Sequence, residues 1–267
     1  MTYDGDWRET FRPDIPTPAR IYDYLLGGKD NYPADRAVAE QMIVQLPNVR
    51  QAVKLNRAFL RRVVRHLIGE AGIRQIIDIG AGLPSAGNTH EVALDICPQT
   101  RVVYVDNDPV VLTHARDMLH CVSGAAVIGQ DMLEPEKILA DPAVRELIDF
   151  GEPVALLFLS ILHFIADEDH PAQIIARLLA AFPVGSYVAI SHAAYDSAPE
   201  VKEVERVFDE ASSRGHVRTR AEIAQLIAGM EILEPGLTYP QEWRPDPGDV
   251  VPDDARETYY CVVVAHN

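Results

Sequence analysis

The chain has 267 residues, 48% of them hydrophobic and 24% charged, a balance that suits one large α/β domain and excludes disorder over most of its length. Forty acidic against 24 basic side chains leave a formal net charge of −16, a field that repels polyanions and argues against nucleic acid as a partner. No apolar run approaches the about 20 residues of a membrane helix, residues 1–14 lack the apolar core of a signal peptide, and Cys97, Cys121 and Cys261 lack C-x-x-C spacing, so the chain reads as cytoplasmic, with no membrane, disulfide or metal-binding role.

Residues 1–16 are polar, carry Pro13 and Pro16, and read as an arm. From Thr17 to Gly72 the apolar spacing is helical. Ile21 with Leu25, and Tyr22 with Leu26, pair at i, i+4 before a Gly27-Gly28 break. A second helix is predicted from Pro33 to Leu46, and a third from about Asn48 to Gly69 with Val49, Val53, Leu60, Val63 and Leu67 in a stripe. Asn56 falls on that stripe, where an amide needs hydrogen-bond partners. Residues 1–72 are therefore an arm and helical cover, part of the same domain as residues 73–267.

After Gly72 the pattern changes. Short β-rich runs at 75–80, 101–106, 125–131, 153–160 and 185–192 alternate with helical stretches, and two more follow at 230–235 and 258–266. Nearly continuous apolar runs of this kind suit strands buried on both faces of a parallel sheet. The result is a doubly wound α/β domain, whose ligands bind beyond the carboxyl ends of the strands. A mixed-charge helix over Glu200–Ser213 reads as a solvated amphipathic face or as an acceptor-side insertion, and residues 236–257 as a long irregular loop beside a site.

The strand ends carry the chemistry. The first closes on Asp78-Ile79-Gly80-Ala81-Gly82, where glycines permit a sharp turn and a close approach of ligand to backbone. The second closes on Asp106-Asn107-Asp108, where a carboxylate can accept both hydroxyls of a ribose. The third closes on Gln130-Asp131-Met132, an acid and a flat apolar side chain suited to an adenine. Two nucleoside ligands compete, NAD and S-adenosylmethionine. The run continues Leu83-Pro84-Ser85, so the third glycine of the dinucleotide fingerprint is missing. Asn88 and Glu91 form a capping-box pattern that starts the next helix too late to hold a pyrophosphate. NAD is disfavoured.

The segments TPARIYDYLLGGKDNYPADR (17–36), NRAFLRR (56–62), DIGAGLPSAGNTHEVA (78–93), VVYVDNDPVVL (102–112), LHFIADEDHP (162–171), GSYVAISH (185–192), EPGL (234–237) and EWRPD (242–246) identify a resemblance. The chain resembles class I S-adenosylmethionine-dependent methyltransferases, and within them a bacterial family long catalogued as a domain of unknown function. The resemblance implies a Rossmann-like, mostly parallel seven-stranded sheet with an antiparallel C-terminal strand. It implies S-adenosylmethionine as cofactor, with Gly80, Ala81 and Gly82 along its methionine part, Asp106 on the ribose and Asn107 beside the adenine. Asp131 and Met132 are then expected at the adenine, and Ser160 and Ile161 under the sulfonium. Pro84 departs from the general glycine pattern. The resemblance brings no known substrate; the function expected is methylation of oxygen or nitrogen on an unidentified small-molecule acceptor, and the alternative is a non-catalytic sensor that binds the nucleoside.

Methyl transfer needs an aligned nucleophile and, for many acceptors, a base. His163, after the fourth strand, is the first candidate base, its other reading being a packed or capping histidine. His192 and Tyr195 follow, while His90 reads as first-turn helix chemistry. Gly27 to Tyr32 reads either as a lid hinge or as a helix stop; as a lid, Lys29 or Arg57 pairs with the methionyl carboxylate and Asn56 holds the loop. Trp243 and Arg244 either border the acceptor pocket or anchor their loop.

Overall fold

A computed structural model describes residues 12–196, 198–211, 215–249 and 258–267. Most of the expected arm, the last residues of the Glu200–Ser213 helix and residues 250–257 of the long loop lie outside them. Three helices come first: α1 (Pro18–Leu26), α2 (Pro33–Gln45) and α3 (Val49–Arg65), the last running on into a π-helical turn, His66–Glu70. Pro18 and Pro33 each open a helix, where a missing N–H costs nothing. Gly27 closes α1 in the left-handed conformation.

The sheet follows. Its strands are β1 (Gln75–Ile79), β2 (Arg101–Asp106), β3 (Ala125–Gly129), β4 (Ala155–Leu159), β5 (Tyr187–Ala193), β6 (Glu231–Ile232) and β7 (Tyr260–His266), in the order β3-β2-β1-β4-β5-β7-β6. The first five pair in parallel, and β7 runs antiparallel between β5 and β6. Between the strands lie α4 (Thr89–Ile96), α5 (Pro109–Leu119), α6 (Pro135–Ala140), α7 (Pro142–Leu147), α8 (Pro171–Leu179), α9 (Val201–Ala211) and α10 (Arg220–Gln225). The fold is thus the Rossmann-like, mostly parallel seven-stranded sheet that the sequence implies, with its helical cover. The one short strand is β6: both its residues are exposed at the sheet edge, and Pro235 has no N–H for the ladder.

Side chains of β1 and β4 are buried along their whole length because helices cover both faces. On one face Ile77, Val103, Leu156 and Phe158 pack with Ile138, Val144, Ile174 and Leu178 of α6, α7 and α8. On the other, Ile76, Val102 and Leu157 meet Phe59, Val63 and Leu67 from α3 and its extension. A third cluster joins α1, α2, α3 and α9 to Tyr259 and Tyr260. Trp243 belongs to the second cluster. It is fully buried, edge-on to Phe59 with ring centroids 5.4 Å apart, and Arg62 donates from Nε to its carbonyl at 3.0 Å. It therefore anchors its loop to α3, and of the two readings offered by the sequence the acceptor-pocket border is not the one observed.

A buried ion pair holds the cover. Arg20 Nε donates to Asp35 at 3.0 Å, with the two side chains 2% and 0% exposed. Asp35 also accepts from the backbone N–H groups of Thr17 (3.0 Å) and Tyr32 (2.8 Å), so a single carboxylate ties together the start of α1, the start of α2 and the loop between them.

Candidate functional site

A cavity of about 530 Å³ opens at the carboxyl ends of β1, β2 and β4 and extends beneath the helical cover. That volume lies in the range of about 300–1,000 Å³ usual for small-molecule sites. At the strand ends its wall is Asp78, Gly80 to Leu83, Asp106 to Val110 and Leu159 to Ile161, with Asn56 and Arg57 reaching in from α3.

The turn after β1 is fixed by steric need. Gly80 has φ +71°, and a Cβ placed there would lie 2.4 Å from Ile161 Cγ1. Only glycine lets the β1 and β4 loops approach so closely. Gly82, φ +66°, then donates its N–H to Asp106 Oδ2 at 2.9 Å, while Asp108 N donates to Asp106 Oδ1 at 2.9 Å. Two backbone donors thus orient the carboxylate, and each of its oxygens retains a lone pair for a further hydroxyl. Burial nevertheless pushes Asp106 up to about 6, against the pull of those N–H groups.

Asp78, at the end of β1, accepts from Thr89 Oγ1 at 2.6 Å; burial raises it to about 6, opposed by that hydrogen bond and by the nearby Arg57 guanidinium. Arg57 makes only long contacts, to Gly87 O (3.4 Å) and Asn88 Oδ1 (3.5 Å). Asn56 donates from Nδ2 to Tyr22 Oη at 3.0 Å, and Tyr22 donates to Val53 O at 3.2 Å. Among the described residues, the buried side-chain atoms without a hydrogen-bond partner include Thr17 Oγ1, Asn56 Oδ1, Arg57 Nε, Asp108 Oδ2 and His163 Nδ1, besides others away from the cavity on Thr100, Ser191 and Trp243. The first five residues all line this one cavity. Such a gathering of unsatisfied polar atoms is costly in a site that never receives a polar ligand.

Ser160, just past β4, has φ +61°, a strained backbone for a residue with a Cβ. Its Oγ and the Tyr260 hydroxyl share a 2.6 Å hydrogen bond, and Ser160 N donates to Ser191 O at 3.0 Å. His163 sits in the turn that follows, which Arg218 clamps. The Arg218 guanidinium donates to Leu162 O (2.9 Å), Ile165 O (2.8 Å), Asp167 Oδ1 (2.7 Å) and His192 Nε2 (3.0 Å). His216 N donates to His163 O at 2.7 Å. His192 accepts from the arginine and donates from Nδ1 to Ala193 O at 2.7 Å, so it is neutral. Burial and the Arg218 charge push His163 down to about 3. It too is neutral throughout the physiological range, an acceptor of hydrogen bonds but a weak base.

The sequence-predicted residues divide accordingly. Gly80, Ala81, Gly82, Asp106, Asn107, Ser160, Ile161, Arg57 and His163 share the cavity wall. Asp131, Met132 and Lys29 are not on it. Asp131 Oδ1 turns back to accept from Leu133 N at 2.9 Å, and Met132 is buried in the main core. Lys29 is exposed, in a turn built on Asp23, which accepts from Asp30 N (2.9 Å) and Asn31 Nδ2 (2.8 Å). That turn is a helix stop; the cavity is covered by α1 itself. His192 and Tyr195 also lie off the wall, and His90 is paired with the Tyr104 hydroxyl at 2.7 Å. Sequence reasoning missed Asp78, Asp108, Tyr22 and Tyr260 as site residues. Asp78 stood two positions before the first glycine, where the strand-end rule points; nothing in the sequence singles out the tyrosines.

The sequence matches the family described as S-adenosyl methyltransferase over residues 7–267. Two solved structures are similar over nearly their full length. One is a candidate methyltransferase from Thermobifida fusca YX, 37% identical, with 100% of this chain and 99% of that one covered and a TM-score of 0.91. The other is a DUF574-family protein from Streptomyces avermitilis MA-4680, 40% identical, with 96% and 100% covered and a TM-score of 0.91. Human N-acetylserotonin methyltransferase, solved with S-adenosylmethionine, shares the fold at 14% identity, with 94% and 60% covered and a TM-score of 0.52. A search of curated proteins found no match. The chain belongs to the S-adenosyl methyltransferase family, whose cofactor is S-adenosylmethionine.

Proposed function

We propose that this chain methylates an oxygen or nitrogen of a small-molecule acceptor, with cofactor and acceptor sharing the one cavity. The observation that carries the reading is the continuity of that cavity. It runs from a buried, doubly oriented carboxylate at the end of β2 to a chamber under α1, α2 and α9.

The residues fit the cofactor. Asp106 has the lone pairs to hold both ribose hydroxyls, and Asn107 with the apolar Leu83 and Val110 makes a slot for the base. Gly80 to Gly82 leave the backbone open beside it. Arg57 and Asp78 offer opposite charges to the two ends of an amino-acid group, and the unpartnered Arg57 Nε and Asn56 Oδ1 gain partners there. When bound, S-adenosylmethionine would supply an activated methyl group on its sulfonium for transfer to the acceptor's lone pair, with S-adenosylhomocysteine as the leaving group.

The chain's own contribution is alignment. Ser160 and Tyr260 fix the β4 loop, Arg218 fixes the turn bearing His163, and the neutral imidazole receives the hydrogen bond of the acceptor O–H or N–H. Because His163 is held near 3, it does not strip that proton beforehand; the proton leaves after methyl addition has made it acidic, to the imidazole or to water.

The test is label transfer. The protein is incubated with methyl-deuterated cofactor and a panel of small phenols, amines and carboxylic acids, and the products are weighed by mass spectrometry. The expected outcome is a labelled product formed in step with S-adenosylhomocysteine. Tight cofactor binding with no transfer to any class of acceptor would replace this reading with that of a non-catalytic sensor.

A further inference from the structure

The cavity wall divides by chemistry. Past the strand ends, its lining comes from Ile21, Leu25, Met42, Val53, Phe208 and Tyr259, on α1, α2, α3, α9 and the residue just before β7. These residues belong to the third hydrophobic cluster, which is built around the space. Among the described residues four charged side chains share this part of the wall, and each already has a partner. Arg12 donates to Asp14 (2.7 Å), Arg20 to Asp35, Asp23 accepts from Asp30 N and Asn31 Nδ2, and Glu205 Oε1 accepts from Val217 N at 2.6 Å. Among the described residues an anionic ligand meets no cation here that is not already paired, and a cationic one meets only carboxylates already held by N–H donors. Burying an ion without a counter-charge is costly, whereas a dry apolar cavity takes apolar molecules readily. With Asn56 facing the cofactor's amino-acid group, the unpartnered polar atoms left to this part of the wall among the described residues are Nδ1 of the neutral His163 and, at the start of α1, Thr17 Oγ1.

We infer that the acceptor is an uncharged, largely apolar, ring-sized molecule whose single protic group lies against His163 while its hydrocarbon body fills the chamber beneath α1, α2 and α9. This rests on the methyltransferase reading and deepens it. The large apolar area buried provides affinity, and the one polar contact provides orientation.

The experiment compares three fluorescent probes on the full chain, with and without saturating S-adenosylhomocysteine: neutral N-phenyl-1-naphthylamine, its sulfonated anionic analogue, and a quaternary naphthylammonium cation. The expected result is one-to-one micromolar binding of the neutral probe, at least tenfold tighter than either charged one. Met42→Trp, which fills the chamber, is expected to weaken the neutral probe at least tenfold while leaving S-adenosylhomocysteine affinity within twofold. Leu25→Lys, which introduces a charge, serves as the second variant should the first fail to fold, with the same two readouts. Charged probes binding as tightly as the neutral one, no neutral-probe binding, or neutral-probe affinity unmoved by a folded variant would each overturn the inference. Probe binding without S-adenosylhomocysteine binding would count against the cofactor reading and leave the chamber's chemistry standing.

Discussion

Asp106→Ala is expected to weaken S-adenosylhomocysteine binding by at least tenfold, about 1.4 kcal/mol, and by up to about a hundredfold. Hydrogen bonds to a charged group contribute about 1.5–3 kcal/mol, and a ribose offers two hydroxyls to this carboxylate. The carboxylate is already aimed by Gly82 N and Asp108 N, so little ordering remains to oppose binding. The same substitution strips those two donors of their acceptor and loosens the turn after β1. Thermal melting of the variant separates that effect from the lost contact, and Asp106→Asn, which keeps one acceptor oxygen, is expected to lie between. The measurement is calorimetric titration of parent and both variants. An alanine variant that stays folded and binds as tightly as the parent would place the ribose elsewhere.

The second large effect concerns stability. Asp35→Ala is expected to cost about 3–5 kcal/mol, because it leaves the Arg20 guanidinium buried without its counter-charge. It also removes the acceptor for Thr17 N and Tyr32 N. The loss falls on the joint between α1 and α2, which roof the chamber, so urea unfolding is expected to show a lowered midpoint. A variant within about 1 kcal/mol of the parent by that measurement would show that apolar packing alone holds the cover.

These two carboxylates illustrate what the sequence discloses. The place of Asp106 on the cavity wall was legible, because a strand-end acid in a doubly wound fold has few places to go, and the Gly80-Ala81-Gly82 turn brings the chain back to meet it. Most strands and the start of α4 were equally legible, the latter from the Asn88–Glu91 capping box, which the structure contains. Asp35 was not singled out, since nothing local distinguishes an acid in a helix's first turn from a solvated one. Asp131 and Met132 went astray for a related reason. The β3 end was located well, but whether a side chain there faces the cavity or caps its own turn is decided by one backbone rotation, and Asp131 caps Leu133. The tyrosines failed differently. Tyr22 and Tyr260 come from opposite ends of the chain and enter the site only through tertiary packing against Asn56 and Ser160. Trp243 stood between two readings, pocket border and loop anchor; its burial against Phe59, which decides for the anchor, needed the α3 face to be seen.

On the proposed reading, the strand-end half of the cavity binds S-adenosylmethionine through ionised Asp78 and Asp106. Both carboxylates sit near 6 in the free protein, raised by burial. A ribose hydroxyl and an ammonium both favour the ionised forms, so binding must expel protons once the pH falls below about 6. Affinity is then lost on acidification, by at most about tenfold per pH unit for each carboxylate involved. The most direct measurement is calorimetric titration of the native chain with S-adenosylhomocysteine at pH 7.5 and pH 5, with folding verified at both and NADH as a competitor. The expected result is one-to-one micromolar binding at pH 7.5, at least tenfold weaker at pH 5, and untouched by NADH. Folded protein that binds no S-adenosylhomocysteine, that binds it equally at both pH values, or that prefers NADH would contradict it.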